Sequence, residues 1–356
     1  MNAYSPASSM GWLDFDAAAS ERVSTLLRSL EEPSTLDVLG LGTVRDAFAD
    51  MLSPGTSTVQ TKLRYVIFLP WIFKRLEDDR VSAADFARRL RDHEARLIDC
   101  LRPLGSNQGV IGFRAGRDLK RMPSDIYWGS LATWGVSRLP LSLAEYGARA
   151  ASLGRLQPER DDGGNATEPP MSMWAAIPPR PEKFLDSNIT FELEPEEAQV
   201  LTESIRRRHP NTLIADLSKR PGLSLDGIDY PWLVPEPDLL PSRLAEVLHH
   251  ARCFSELTLG PQLVYNLLLA REASQEFGWE TKELEDDQLG QLEDWSGLVM
   301  SRDETLGRWA EHPGEFWQIL AGYGISGTTQ HFWNDSIRRA MDDPGRFAED
   351  PMVHRL

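Results

Sequence analysis

One stretch constrains the fold more than any other: the helical pattern that opens at Pro241-Ser242 and runs to about Phe277. Leu244, Val247, Leu248, Cys253, Phe254 and Leu257 recur at three- and four-residue spacing, followed by Leu263, Val264, Leu267 and Leu268. From Leu263 to Ala270 the chain is apolar almost all round. A helix without a polar face must be surrounded, so this segment predicts the central helix of a bundle. Gly260-Pro261 is expected to bend it.

Helical periodicity continues elsewhere. Ala17 to Leu30 carries Val23, Leu26, Leu27 and Leu30 on one stripe, with Pro33 just beyond. Gly42 to Leu76 predicts two helices around a Pro54-Gly55 turn, with Phe48, Tyr65, Phe68 and Trp71 in one core and a kink or break at Pro70. Ser82 and Asp85 form a capping pair ahead of a helix that buries Phe86, Leu90, Leu97 and Leu101 and turns Arg88, Arg89, Arg91 and Arg96 outward. Further helices are expected from Pro195 to Pro210, and around Asp303–Glu311, Glu315–Ala321 and Thr328–Ala340. The fold class is therefore mainly α, an irregular helical bundle. Four glycines around Val110, Ile111 and Phe113 add a short β-hairpin or winged element near residues 105–140 to the expectation.

Charge divides the chain. Residues 1–150 hold 19 Lys+Arg against 18 Asp+Glu, and residues 151–356 hold 19 against 36. Within the first half, residues 55–138 hold 15 basic and 9 acidic side chains. The shift coincides with a Pro- and Gly-rich stretch. The expected organisation is thus a helical domain with a basic island at 1–153, a linker at 154–190 whose residues 158–170 are mobile, and an acidic helical domain at 191–356. A basic island in an acidic chain suits a local anionic partner, with the acidic remainder limiting nonspecific attraction.

Several classes are disfavoured. Cys100 and Cys253 are far apart and follow no metal spacing, which fits a reducing cytoplasm. No basic and apolar leader opens the chain, and the most apolar run, Val66 to Phe73, is far short of the roughly 20 residues that span a bilayer. The expectation is a cytoplasmic protein without membrane contact and without a cofactor. No P-loop, Gly-x-Ser-x-Gly elbow, His-Glu-x-x-His or zinc-deaminase signature occurs. His249, His250 and Cys253 share a helix at spacings a metal could use, but no second His/Cys cluster completes a ligand set. Helix-packing roles, with no metal, are expected for them.

The strongest functional candidate is basic and aromatic. Arg114, Arg117, Lys120 and Arg121 precede Ser124, Tyr127 and Trp128, and Lys62 and Arg64 lie in a second segment. Cations hold phosphates, and aromatic faces stack on bases. The competing reading makes Tyr127 and Trp128 the buried face of a short helix. A second basic run, Arg206-Arg-Arg-His209, sits at a helix C-terminus, where the helix dipole already favours cations.

Particular segments carry a family resemblance. They are Gly11-Trp-Leu-Asp-Phe15, Gly42-Thr-Val-Arg-Asp-Ala-Phe-Ala-Asp50, Pro54-Gly-Thr-Ser-Thr58, Gln60-Thr61, Arg64-Tyr65 and Pro70-Trp71. Pro123-Ser124, Ile126-Tyr-Trp128, Trp134-Gly135, His250-Ala-Arg252, Phe254 and Tyr265-Asn-Leu-Leu-Leu-Ala270 extend it. Over nearly its whole length the chain resembles a bacterial domain-of-unknown-function family, number 6361 among such families. The resemblance implies a genomic setting near helicase-like and nuclease-like genes of antiphage systems, and supplies no catalytic residues. The expected function is a nucleic-acid-associated accessory protein of bacterial defence that acts by binding. Two alternatives remain: an enzyme acting on nucleic acid, such as a nuclease or base-excising enzyme, and an acidic protein-interaction subunit of a defence complex.

Overall fold

The computed structural model describes residues 40–105, 108–153, 173–175, 177–220 and 222–349. The helix expected over Ala17–Leu30, most of the expected linker and the stretch 158–170 lie outside these residues. Twelve α-helices run through the described residues, joined by turns and short 3-10 segments. The one pairing of extended chain among them is an isolated antiparallel bridge between Ser137 and Trp174. The protein is mainly α, an irregular helical bundle. No helix of the described residues is long and apolar enough to cross a membrane.

The hairpin expected within 105–116 is replaced by turns. Gly109 and Gly112 both have positive φ, +77° and +76°, so the chain reverses repeatedly where a strand would need to stay extended. The described residues fall into two compact units. Residues 49–223 form one unit, and residues 40–48 and 224–349 form the other. Residues 191–223 group with the basic segments, sharing their core and joined to them by a buried ion pair described below.

Helix α1 (Leu41–Leu52) spans the first division. Within 49–223, helix α2 (Tyr65–Asp78) is the centre, and every residue from Tyr65 to Phe73 is buried. It continues through Pro70, where a kink or a break was expected. The proline forfeits one backbone hydrogen bond, and burial of the surrounding apolar side chains, about 1.5–3 kcal/mol each, outweighs that loss. Helix α3 (Ala83–Leu101) starts at Ser82, whose hydroxyl accepts from the Asp85 amide, and buries Phe86, Leu90, Leu97 and Leu101 against α2. Helices α4 (Pro123–Thr133), α5 (Leu143–Leu153), α6 (Pro195–Arg208) and the short α7 (Leu213–Leu217) complete the unit. Phe73, Tyr146 and Trp174 form its aromatic centre, with Phe73 stacked on Trp174 at 5.2 Å.

The other unit is organised by helix α8 (Ser242–Phe277), 36 residues long and continuous through Gly260-Pro261. Helix α9 (Lys282–Ser301) packs along it, followed by α10 (Asp303–Glu311), α11 (Pro313–Ile319) and α12 (Gly327–Asp342). Phe48 belongs here, 5.9 Å from Phe316, rather than in the core that holds Tyr65, Phe68 and Trp71. Phe316 in turn stacks on Phe254 at 4.9 Å.

Gly260 is the tightest point of the α8–α9 packing. A Cβ there would lie 2.4 Å from the Trp295 ring, whose indole N–H donates to the Glu256 carbonyl at 2.7 Å. Gly260→Ala should therefore push the indole out and cost about 1–3 kcal/mol in urea unfolding, as overpacked cores do. An unchanged midpoint would mean that the ring relaxes freely.

Candidate functional site

The segment after α3 is held from three sides. The Thr61 hydroxyl donates to the Gly109 carbonyl at 2.6 Å, and the Ile111 amide donates to the Tyr65 hydroxyl at 3.0 Å. The Arg91 guanidinium, projecting from α3, donates to the carbonyls of Arg117 and Leu119. A loop fixed in this way keeps Arg114, Arg117, Lys120 and Arg121 exposed. Arg117 pairs with Asp92 at 3.0 Å, while Arg114, Lys120 and Arg121 have no ion-pair partner among the described residues.

The other four residues expected at this site are used differently. Arg64 is buried: its guanidinium pairs with Glu197 of α6 at 2.9 Å and donates to the Thr190 carbonyl. Tyr127 is also buried, and its hydroxyl accepts from the Thr61 and Lys62 amides and donates to the Lys62 carbonyl. Trp128 is half-buried, edge-on to Phe73, with its indole N–H on the Leu141 carbonyl. Lys62 is half-buried, with its ammonium 5.9 Å from the Phe191 ring. Both aromatics thus serve packing, because each polar edge finds a backbone partner inside the unit. Of the eight, Arg114, Lys120 and Arg121 remain exposed without an ion-pair partner among the described residues.

At the other end of α4 lies a pocket that the sequence reading did not assemble. It encloses about 650 Å³ and is lined by Trp134, Gly135, Arg138, Ala175, Val200, Glu203, Ser204, Arg207 and Arg208. The Ala175 amide donates to the Val136 carbonyl and the Arg138 amide to the Met173 carbonyl, which fixes one wall. The other wall is the last turns of α6, anchored where the His209 ring meets the Thr133 carbonyl at 2.8 Å. Gly135 has φ +71°, and a Cβ there would fall 2.6 Å from Arg208 Nε, so only glycine admits that guanidinium so closely. Arg206 points away, donating to Ser218.

Several ionisable groups in each unit hold other parts of that unit by hydrogen bonds. Glu94, 1% exposed, accepts from the Ser124 amide at 2.6 Å and from the Ser124 hydroxyl, closing the start of α4. Burial pushes its pKa up to about 8. Glu77 accepts from Tyr146 and Trp174, and burial raises its pKa too. In the other unit His250 Nδ1 accepts from the Trp309 indole at 2.8 Å, and His249 lies 3.8 Å from Cys253 Sγ. Desolvation lowers both histidines and raises the Cys253 thiol. Among the described residues no three His, Cys, Asp or Glu side chains are grouped to hold a metal ion.

A family model described as "Family of unknown function (DUF6361)" matches residues 7–342. No curated protein and no solved structure matches the chain.

Proposed function

Since the chain belongs to a family of unknown function, DUF6361, its activity has to be argued from its own surface, and we propose that it binds nucleic acid along the phosphate backbone. In this reading it is an accessory protein acting by binding, in the bacterial defence setting that the resemblance implies. The fixed loop carries the proposal: Arg114, Lys120 and Arg121 are exposed without carboxylate partners, on a backbone that Arg91 holds in place. Cations ordered before binding lose less freedom on meeting a phosphate.

The charge distribution supports the same reading. Residues 49–223 carry 25 Lys+Arg against 23 Asp+Glu, and the remainder of the chain carries 13 against 31. The basic charge therefore gathers in the unit that holds the loop. Catalysis on nucleic acid would require carboxylates turned towards a bound strand. In this unit the buried carboxylates Glu94 and Glu197 and the half-buried Glu77 are each occupied by hydrogen bonds within the unit.

The test is binding of a labelled duplex by fluorescence anisotropy between about 50 and 200 mM salt. Affinity should fall steeply, and Lys120→Ala with Arg121→Ala should flatten the logarithmic slope by about 2. The double variant should keep its stability within about 0.5 kcal/mol, because exposed cations contribute little to folding. A wild type that binds no nucleic acid at low salt would end the proposal and return the loop to an intramolecular role.

A further inference from the structure

We propose that the pocket lined by Arg138, Arg207 and Arg208 binds the terminal phosphate group of a nucleotide-sized ligand. The site is separate from the loop. The loop precedes α4 and the pocket follows it, and the 11 residues of α4 place them about 16 Å apart along the helix axis. Either can therefore fail without the other.

The charge around the pocket argues for an anionic ligand. Three guanidiniums line it, and none has an ion-pair partner among the described residues. The single carboxylate, Glu203, accepts from the Gln199 amide at 2.8 Å instead of pairing with Arg207 one turn away. Helices α4 and α6 both end at the pocket, and their C-termini together count as roughly one negative charge. Three cations, one carboxylate and two helix ends leave a net of roughly +1. The helix dipoles alone therefore do not account for the arginines. A phosphodiester presents two free oxygens, whereas a terminal phosphate presents three, enough to accept from each of the three guanidiniums.

Two further features fit a phosphate ester of organic size. Ser204 is almost fully buried, lines the pocket and has no side-chain hydrogen bond among the described residues. Its hydroxyl is a ready donor to a phosphate oxygen. The volume of about 650 Å³ far exceeds a bare phosphate and falls within the roughly 300–1,000 Å³ of organic-ligand pockets. Val200 and Ala175 supply an apolar wall for the rest of the molecule. Gly135, by letting Arg208 lie against the backbone, limits that side chain's freedom before any ligand arrives.

The terminal phosphate could belong to a free nucleotide or to the end of a nucleic-acid strand, and the experiment separates the two. Calorimetric titration of the full chain would use ATP, pyrophosphate, and one oligonucleotide with and without a 5′ phosphate. ATP or the phosphorylated strand should saturate a single site. Arg207→Gln with Arg208→Gln should weaken that binding at least roughly tenfold, since each removed guanidinium forfeits a charge-assisted hydrogen bond. Should the double variant lose helicity, Arg138→Gln alone should show the same direction of effect. ATP binding with no preference for the phosphorylated strand assigns the site to a free nucleotide. A strand preference that ATP competes away assigns it to a nucleic-acid end. No saturable binding of any probe, or binding that both sets of substitutions leave unchanged, overturns the proposal.

Discussion

Arg64→Ala should destabilise the protein by roughly 3–5 kcal/mol, enough to unfold a marginal domain, because it strands a buried carboxylate. Both groups of the pair are almost completely buried: side-chain exposure is 8% for Arg64 and 2% for Glu197. Glu197 also accepts from the Glu194 amide at 3.0 Å, so the same carboxylate caps the start of α6. Glu197→Gln preserves the capping oxygen while leaving the guanidinium unpaired, and should cost a similar amount. Replacing both by apolar residues of similar volume, Arg64→Met with Glu197→Leu, should recover much of the loss, since neither desolvated charge then remains. Urea unfolding of Arg64→Met, Glu197→Leu and the double variant closes the cycle. If the double variant loses as much as the two singles added together, the pair is not coupled and some other contact holds α6 to α2.

The second large effect is a pH dependence centred on Glu94. Burial, partly offset by the Ser124 hydrogen bonds and reinforced by Asp125, holds its pKa near 8 in the folded protein, against an ordinary value of 4.5. The folded state then keeps a proton that the unfolded chain releases above pH 4.5. Its contribution to stability is complete below pH 4.5, declines as pH rises, and is lost once pH passes about 8. One proton corresponds to a slope of about 1.4 kcal/mol per pH unit. Glu77, also raised, adds in the same direction. His93, His249 and His250 are lowered by burial and act oppositely, because the unfolded chain takes up their protons sooner as pH falls. The clean measurement is therefore the difference between wild type and Glu94→Gln, whose amide oxygen can still accept from the Ser124 amide. Between pH 5 and 8 the difference should change by about 1.4 kcal/mol per pH unit; a flat difference would show that Glu94 is ionised in the fold.

Local signals in the chain were readable, and pairings distant in sequence were not. Ser82 capping α3, the buried stripe Phe86, Leu90, Leu97 and Leu101, and the long helix α8 each follow from neighbouring residues alone, although Tyr265 and Leu269 lie exposed where burial on most sides was expected. Helix α9 escaped notice although Gln288, Leu292, Trp295 and Val299 form a buried stripe, because acidic residues surround it and one of the four positions is polar. Charge in the sequence marks where cations are, without showing which are already paired. Arg64 finds Glu197 at a separation of 133 residues and leaves the candidate surface. Arg138 lies far from the Arg207–Arg208 turn in sequence, so the pocket had no local signature; only the run Arg206–Arg208 was visible, and the helix dipole explained it adequately. Tyr127 and Trp128 were ambiguous between stacking and packing until their hydrogen-bond partners, Lys62 and Leu141, were seen.

The interrupted unit has a consequence for how the chain emerges during synthesis. Phe48 is made early, yet its partner Phe316 follows 268 residues later, after all of residues 49–223. At about 5–20 residues per second the ribosome needs roughly 10–50 s to deliver that partner. The contiguous unit is complete well before then and can fold while still tethered. The apolar face of α1 around Phe48 has to wait, and during that interval it is the exposed surface on which a nascent-chain chaperone, or a misfolded neighbour, would act first.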